Sequence, residues 1–190
     1  MRTTGLVLAA GAGSRFGGPK GLARTTAGEP WVQRAVRMLV AAGCDEVLVA
    51  VGARGADVAA LVPPSARVVV VDDWADGLAA TLRAGLDAAA RRRAEVLVVT
   101  PVDTPDAPAE AVRRVLRRAG GERAASVGLA RAVYAGRPGH PVLLGRAHWV
   151  GVRETLAGDA GAGRYLAAHG AVEVECGDLW SGADVDHGPR

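Results

Sequence analysis

The chain has 190 residues, of which 49% are hydrophobic, and its 23 basic and 20 acidic side chains give a formal net charge of +3. This size and composition fit one globular domain with a sizeable core. The small, dispersed positive charge, with no aromatic residues among the arginines, argues against a nucleic-acid-binding protein. No apolar run is long enough to span a membrane, and Cys44 and Cys176 are predicted to be buried thiols of a reducing compartment, so we expect a cytoplasmic protein without a membrane partner.

The first predicted strand, residues 4–10, leads into a glycine-rich basic loop, GAGSRFGGPK, over residues 11–20. Glycines let backbone N–H groups approach a polyphosphate, and a cation completes the charge balance. Two better-known loops do not fit, because Phe16 replaces the third glycine of a dinucleotide fingerprint and Lys20 is followed by glycine instead of Ser or Thr. Arg15 and Lys20 then supply a planar fork and a point charge for phosphate. A flexible connection with solvated charges is the alternative.

Lysine occurs once in the sequence, at position 20, and arginine supplies every other cationic side chain. A chain that uses arginine wherever either residue serves has kept a lysine inside the glycine loop. This indicates a role for a compact ammonium group that a guanidinium does not fill.

After the loop, predicted helices alternate with apolar strands. The predicted strands cover 46–51, 67–71, 95–100, 125–130, 141–144 and 172–176, and the predicted helices cover 29–42, 55–61, 76–90, 108–118, 147–156 and 162–169. Apolar strands separated by helices predict an α/β protein with a single doubly wound, mostly parallel sheet and helices on both faces, a Rossmann-like fold.

A second candidate site follows the fourth strand, in the turn PVDTPD of residues 101–106. Ligands of open parallel sheets bind at the carboxyl ends of the strands, where the glycine loop also lies. Asp103 is therefore predicted to face the bound phosphates, and Mg²⁺ needs such a hard oxygen ligand beside a triphosphate. Capping of the next helix is the alternative role, and it fits Asp106 better than Asp103.

Five ordered motifs resemble those of the MobA-like NTP transferases, the family of molybdenum cofactor guanylyl- and cytidylyltransferases. They are Leu8-Ala9-Ala10-Gly11 with Gly13-Ser14-Arg15-Phe16-Gly17 and Pro19-Lys20, then GLAATLRAG (77–85), PVDTP (101–105), GRPGHPVL (136–143) and GDAGA (158–162). The second, fourth and fifth are similar to the cytidylyl branch, although Thr81 stands where that branch usually has serine. The motifs span the chain nearly end to end.

The resemblance implies a nucleotidyltransferase fold in one domain, 1–190, with a nucleotide-binding half (1–123) and an acceptor-binding half (124–190). It implies that a phosphate of the acceptor attacks the α-phosphorus of an NTP and that pyrophosphate leaves. Ala10, the alanine that follows Leu-Ala, resembles the residue that the cytidylyl branch has at this position. CTP is therefore the expected donor and molybdopterin cofactor the expected acceptor. A recipient molybdoenzyme or its chaperone is the further implied partner.

The resemblance also implies roles for individual residues. Catalysis is assigned to Lys20 and Arg15, and nucleotide binding to Leu8, Ala9, Ala10, Gly11, Gly13, Ser14, Gly77, Thr81 and Arg83. Mg²⁺ is expected to bind Asp103 and Asp186, with Asp184 as the next candidate ligand. The acceptor is expected to bind Gly139 and His140. The acidic C-terminus departs from the family pattern, so a disordered tail is its alternative, and a turn hydrogen bond is the alternative for His140.

The sequence leaves two other functional classes open. One is nucleotidyl transfer to a sugar 1-phosphate or a small phosphorylated alcohol, and the other is a non-catalytic nucleotide-binding or cofactor-delivery protein. The four tryptophans share no spacing and are predicted to pack in the core or at its rim, with Trp180 as a candidate for the acceptor cleft.

Overall fold

The computed structural model describes residues 2–119 and 125–186. Its strands are β1 (Thr3–Ala9), β2 (Glu46–Val51), β3 (Arg67–Val70), β4 (Val96–Pro101), β5 (Leu129–Tyr134), β6 (Arg137–Gly145) and β7 (Val172–Glu175). Its α-helices are α1 (Trp31–Ala41), α2 (Gly55–Ala59), α3 (Leu78–Arg91), α4 (Ala109–Arg118), α5 (Trp149–Thr155) and α6 (Gly163–Ala168). None of these helices is both long enough and apolar enough to cross a membrane.

The seven strands form one sheet in the order β3-β2-β1-β4-β6-β5-β7. Strands β3, β2, β1 and β4 are parallel, β6 runs antiparallel to both β4 and β5, and β7 is parallel to β5. The chain winds outward from β1 to β3 and then returns to the other side of β1 at β4. The carboxyl ends of β1 and β4 therefore flank a topological switch point, which is where open α/β sheets bind their ligands.

Helices cover both faces of the sheet and divide the core into two layers. One layer packs α1, α2 and α4 on the sheet, and the other packs α3, α5 and α6. Alternation along the strands supplies both layers, so Val47 and Val49 point into the first and Leu48 into the second. Burial of each such Leu or Val stabilises the fold by about 1.5–3 kcal/mol. The predicted doubly wound, mostly parallel α/β sheet is confirmed.

In the second half, the strand predicted over 172–176 agrees with β7, but the bounds of the two preceding strands were wrong. A strand was predicted over 125–130, but Ala125–Val127 forms a 3₁₀ turn and β5 ends at Tyr134, while β6 is longer than the predicted 141–144. The two strands form a hairpin whose connection has positive φ at Ala135 (51°) and Gly136 (75°). Tight hairpin turns with two positive φ angles usually carry Asn-Gly or Asp-Gly, so Ala-Gly gave no turn signal.

Both cysteines are free and buried. Burial, reinforced by the charge of Asp45, raises the pKa of the Cys44 thiol to about 12, and burial also raises the pKa of Cys176 although Arg114 opposes it. The thiolate is the reactive form, so neither cysteine is suited to nucleophilic chemistry.

We predict that neither thiol reacts readily with a disulfide reagent at pH 8 in the folded protein. At a pKa of about 12 only about one Cys44 thiol in 10⁴ is ionised at that pH, and the folded chain shields both sulfur atoms. Thiol titration with and without denaturant measures this, and both residues should react fully once the chain is unfolded. Rapid native labelling of either cysteine would contradict the burial described here.

Candidate active site

Two adjoining cavities open at the carboxyl ends of β1 and β4. The first, here called the loop cavity, has a volume of about 680 Å³ and lies under the glycine loop. The second, here called the face cavity, has a volume of about 450 Å³ and lies between the sheet face and helices α3 and α6. The residues that line both cavities are Leu8, Leu78, Pro101, Asp103 and His140. The two cavities therefore share one wall, and Asp103 stands in it.

The glycine loop wraps around one of its own carbonyl groups. The oxygen of Gly13 accepts hydrogen bonds from the N–H groups of Phe16 (2.9 Å), Gly17 (3.0 Å) and Gly18 (3.1 Å). Gly13 has a φ of +60°, and a Cβ added there would lie 2.0 Å from the carbonyl oxygen of Gly18. The aromatic ring of Phe16 contacts that of Trp31 on α1, with 5.3 Å between the ring centroids, so the loop is anchored on the helix that follows it.

Every loop residue predicted to bind nucleotide, from Leu8 to Ser14, lines the loop cavity, as do Arg15 and Lys20. Arg15 is exposed, whereas the Lys20 side chain is only 16% exposed. The Lys20 Nζ donates to Oδ2 of Asp103 (2.8 Å) and to Oδ1 of Asp186 (3.1 Å). Asp103 and Asp186, which are separated from Lys20 by 83 and 166 positions along the chain, thus meet at its ammonium group.

These ion pairs keep Lys20 charged. Burial alone would lower the pKa of Lys20, but the hydrogen bonds and charges of Asp103 and Asp186 outweigh it and hold the pKa above the usual value. The ammonium is consequently protonated throughout the neutral range.

Three carboxylates gather at this point. One oxygen each from Asp103, Asp184 and Asp186 can be chosen so that all three lie within 4.8 Å of one another. Oδ1 of Asp103 is buried, and no donor from residues 2–119 or 125–186 reaches it. The backbone N–H of Val185 donates to the Asp103 carbonyl oxygen (2.9 Å), which fixes the two late aspartates beside the β4 turn. An orphaned buried carboxylate oxygen among acidic neighbours fits a hard divalent cation such as Mg²⁺.

The start of α3 forms the opposite wall of the loop cavity. Gly77 has a φ of +98°, and a Cβ there would lie 2.6 Å from both the Gly158 carbonyl oxygen and Oδ1 of Asp159. The N–H of Ala79 donates to the same Gly158 carbonyl oxygen (2.9 Å). The GDAGA motif therefore packs on the first turn of α3, and Gly77 and Thr81 both line the loop cavity.

Sequence reasoning missed Trp74 and Asp159, which also line the loop cavity. Trp74 packs at the rim of the core, as predicted, and it lies on a 3₁₀ turn just before α3. A Cβ added to Gly52, the glycine that follows β2, would lie only 2.4 Å from the Cβ of Trp74. The absence of a side chain at Gly52 therefore makes room for Trp74. A glycine directly after a buried strand was the available signal of this close approach.

Arg83, which was predicted to bind nucleotide, lies apart from the other predicted residues. It lines neither cavity, and its guanidinium donates to the Leu156 carbonyl oxygen (3.3 Å) at the end of α5. On an α-helix a residue two positions after Thr81 points about 200° away from it, so Thr81 and Arg83 cannot both face the cavity. Asp106 does not cap α4 either, because its carboxylate accepts from Arg34 Nη2 (3.4 Å).

His140 and Gly139, predicted to bind the acceptor, line the face cavity. Removal of the imidazole from water lowers the pKa of His140 to about 4, although the charges of Asp103 and Asp184 oppose the shift. The ring is therefore neutral at pH 7 and has one donor and one acceptor nitrogen. Its position beside Asp103 suits it to hydrogen-bond a ligand that enters from the face cavity.

The rest of the face cavity is largely apolar. Its aliphatic lining consists of Leu8, Leu78, Leu82, Val99, Val142, Leu144 and Leu166. Arg131, which sequence reasoning missed, adds a cationic group, and its Nε donates to Glu173 Oε1 (3.2 Å). An arginine inside an apolar strand pattern gives no sign of its role until the sheet places it in a cavity wall.

We predict that Gly13→Ala weakens NTP binding by about tenfold or more. A positive φ costs an L-residue about 1–2 kcal/mol, and the new methyl group would also collide with the Gly18 carbonyl. Calorimetric titration with an NTP measures the effect. Gly18→Ala is the matched control, because a Cβ at Gly18 meets nothing within 4 Å. Equal affinities for the two variants would contradict a role for the loop conformation.

Two known proteins are similar to the chain in sequence over most of its length. The chain is 36% identical over 191 residues to the nicotine blue oxidoreductase of Paenarthrobacter nicotinovorans, covering 96% of this chain and 91% of that protein. It is 33% identical over 183 residues to the molybdenum cofactor guanylyltransferase of Cereibacter sphaeroides, covering 92% and 86%. Neither of these two is a cytidylyltransferase by name, so the preference for CTP stays a prediction.

Solved structures show the same fold. Rv0371c of Mycobacterium tuberculosis superposes with a TM-score of 0.80 at 26% identity, covering 98% of this chain and 94% of that one. A structure of Rv0371c in complex with manganese superposes with a TM-score of 0.69 at 24% identity, covering 93% and 88%.

The family comparison agrees with the sequence motifs. Residues 5–174 match the MobA-like NTP transferase domain, a span that runs from β1 through most of β7 and includes the glycine loop, Asp103 and His140. The chain belongs to the MobA-like NTP transferase family.

Proposed function

We propose that the chain transfers CMP from CTP to a phosphorylated acceptor such as molybdopterin cofactor and releases pyrophosphate. The observation that carries the proposal is the ion pair of Lys20, in the loop cavity, with Asp103, in the wall that the two cavities share. A transfer between two substrates needs a site for each and one point where they meet.

The loop cavity is suited to the nucleotide. Its glycine loop offers backbone N–H groups and a cationic rim at Arg15, and the first turn of α3 faces it with the positive end of a 14-residue helix. With the triphosphate against the loop, the α-phosphate would lie near Lys20, where the cavities join.

The face cavity is then the site of the acceptor. An oxygen of the acceptor phosphate forms the new bond to the α-phosphorus, and the bond from that phosphorus to the oxygen bridging to the β-phosphate breaks, so the electron pair leaves with pyrophosphate. The reaction needs in-line positioning and charge neutralisation more than a nucleophilic side chain. Lys20 supplies a fixed positive charge, and neutral His140 supplies a hydrogen bond on the acceptor side.

Asp103, Asp186 and Asp184 would hold Mg²⁺. The buried, unpartnered Oδ1 of Asp103 and the two late aspartates beside it support this assignment. The manganese complex of Rv0371c supports a divalent metal in a protein of the same fold. When bound, the metal would neutralise phosphate charge in the transition state.

The body of the acceptor would lie along the face cavity. Aliphatic side chains suit the flat faces of a ring system, and Arg131 suits oxygen atoms at its edge. Sugar phosphates expose hydroxyl groups all round and would leave them without partners there, so a pterin-like acceptor is favoured over a sugar 1-phosphate.

A second candidate is a nucleotide-dependent oxidoreductase. The observation that favours it is the 36% identity to nicotine blue oxidoreductase over almost the whole chain. Such an enzyme would transfer a hydride from a nicotinamide cofactor, although the glycine loop has Phe16 where a dinucleotide fingerprint needs its third glycine. The acidic cluster on Lys20 favours nucleotidyl transfer, because hydride transfer does not require a metal beside a triphosphate.

A panel of the four NTPs against molybdopterin and several sugar phosphates tests the proposal. We expect pyrophosphate release to be fastest with CTP and molybdopterin. Ala10 and Thr81, which line the loop cavity, would contact the base and give the preference for CTP. Omission of the acceptor is the control. NAD(P)H oxidation in the same preparation, without pyrophosphate release from any pair, would support the second candidate instead.

We predict that Lys20→Ala lowers kcat by about 10²–10³, because it removes a preorganised charge from the transition state. Lys20→Arg should not restore the rate, since a planar fork cannot replace a compact ammonium that two carboxylates hold at 2.8 and 3.1 Å. Arg24→Ala is the control, because Arg24 donates to the Gly28 carbonyl oxygen and lies outside both cavities. Steady-state kinetics measures all three, and an unchanged kcat in Lys20→Ala would rule out the assigned role.

A further inference from the structure

Tyr134 is a buried residue at the end of β5 that lines neither cavity. Its hydroxyl group donates to the His140 carbonyl oxygen (2.6 Å) and accepts from the indole N–H of Trp180 (2.8 Å). The rings of Tyr134 and Trp180 meet edge to face, with 5.4 Å between their centroids. One phenol thus joins β6, which carries His140, to the segment that follows β7.

The phenol keeps its proton at neutral pH. Burial raises the pKa of Tyr134 to about 12, although the hydrogen bond from Trp180 opposes the shift. The hydroxyl group can therefore donate and accept at the same time, as its two partners require.

Two glycines make room for the aromatic ring of Tyr134. A Cβ added to Gly139 would lie 2.8 Å from the ring, and one added to Gly182, where φ is +74°, would lie 2.2 Å from it. The ring is consequently held between the start of β6 and the C-terminal segment. Neither glycine leaves space for a larger residue without displacing the ring.

The segment from Gly177 to Asp186, here called the C-terminal strap, continues from this contact to the acidic cluster. Trp180 is anchored on the Tyr134 hydroxyl, and five residues later the Val185 N–H donates to the Asp103 carbonyl oxygen (2.9 Å). Asp184 and Asp186 flank Val185. The strap is therefore attached at Tyr134 and at Asp103, besides the ion pairs of Asp178 with Arg114 and of Asp186 with Lys20, and both late carboxylates lie beside the attachment at Asp103.

We propose that Tyr134 is a positioning residue that holds the C-terminal strap so that Asp184 and Asp186 stay beside Asp103. It acts through Trp180 and does not contact the substrates. The consequence for metal binding rests on the proposed function, whereas the placement of the strap does not.

Tyr134→Phe tests the proposal, because it removes both hydrogen bonds and leaves the ring in place. Hydrogen exchange of the Val185 amide should become about tenfold faster, since the strap opens more readily when one attachment is lost. The Kd for Mn²⁺, measured by electron paramagnetic resonance in the presence of CTP, should rise about tenfold. Tyr165→Phe is the matched control, because its buried hydroxyl is hydrogen-bonded to His148 Nδ1 (3.1 Å) outside the lining of both cavities.

Trp180→Phe removes the donor from the other side of the same link. It should accelerate exchange at Val185 to a similar extent. The double variant with Tyr134→Phe should add little, because both changes break the same hydrogen bond between Trp180 and Tyr134. This variant also decides the matter if Tyr134→Phe fails to fold. Thermal unfolding of each variant separates loss of overall stability from loss of the strap.

Unchanged exchange at Val185 in both Tyr134→Phe and Trp180→Phe would overturn the proposal, as would an equal acceleration in Tyr165→Phe. If the unmodified protein binds no Mn²⁺, the metal assignment under the proposed function fails. Exchange at Val185 then still decides whether Tyr134 positions the strap.

Discussion

The ion pair between Lys20 and Asp103 is the constraint on which the site depends. It joins the loop after β1 to the turn after β4, and Asp186 brings the end of the described chain to the same ammonium. Partly buried carboxylates are unfavourable unless a counter-charge is near. Three carboxylates and one ammonium still leave a net charge of −2 at this point. The site thus retains the negative charge that a divalent cation would neutralise.

The sheet order explains why two cavities share a wall. Strands β1 and β4 are neighbours, but the chain winds in opposite directions on leaving them, so their loops diverge and leave a crevice between them. The antiparallel β6 then carries His140 back to that crevice from the other side. Residues from both ends of the described chain therefore meet at one crevice.

Much of the first half could be predicted from the sequence. Continuous apolar strands and amphipathic helices gave the doubly wound sheet, and the rule for strand ends directed attention to Lys20 and Asp103, which the structure brings within 2.8 Å. The strand bounds of the second half were less predictable, because the hairpin turn has Ala135 in a left-handed conformation and alanine is not a turn signal. Arg131 and Asp159 gave no sequence signal, since their roles come from neighbours that are distant in the chain, whereas Gly52 after β2 was a signal for the close approach of Trp74. Arg83 shows the converse, because the motif assigns it to the nucleotide whereas the geometry of α3 turns it away from Thr81 and the loop cavity.

A single lysine, held between two carboxylates, also has a consequence for handling the protein. Reagents that acylate amines, whether used for labelling or for attachment to a surface, find only one side chain of that kind in the whole sequence. That side chain is the one at the junction of the two cavities. Fluorophores and solid supports are therefore better attached through an introduced surface cysteine, since the two native thiols are shielded by the fold.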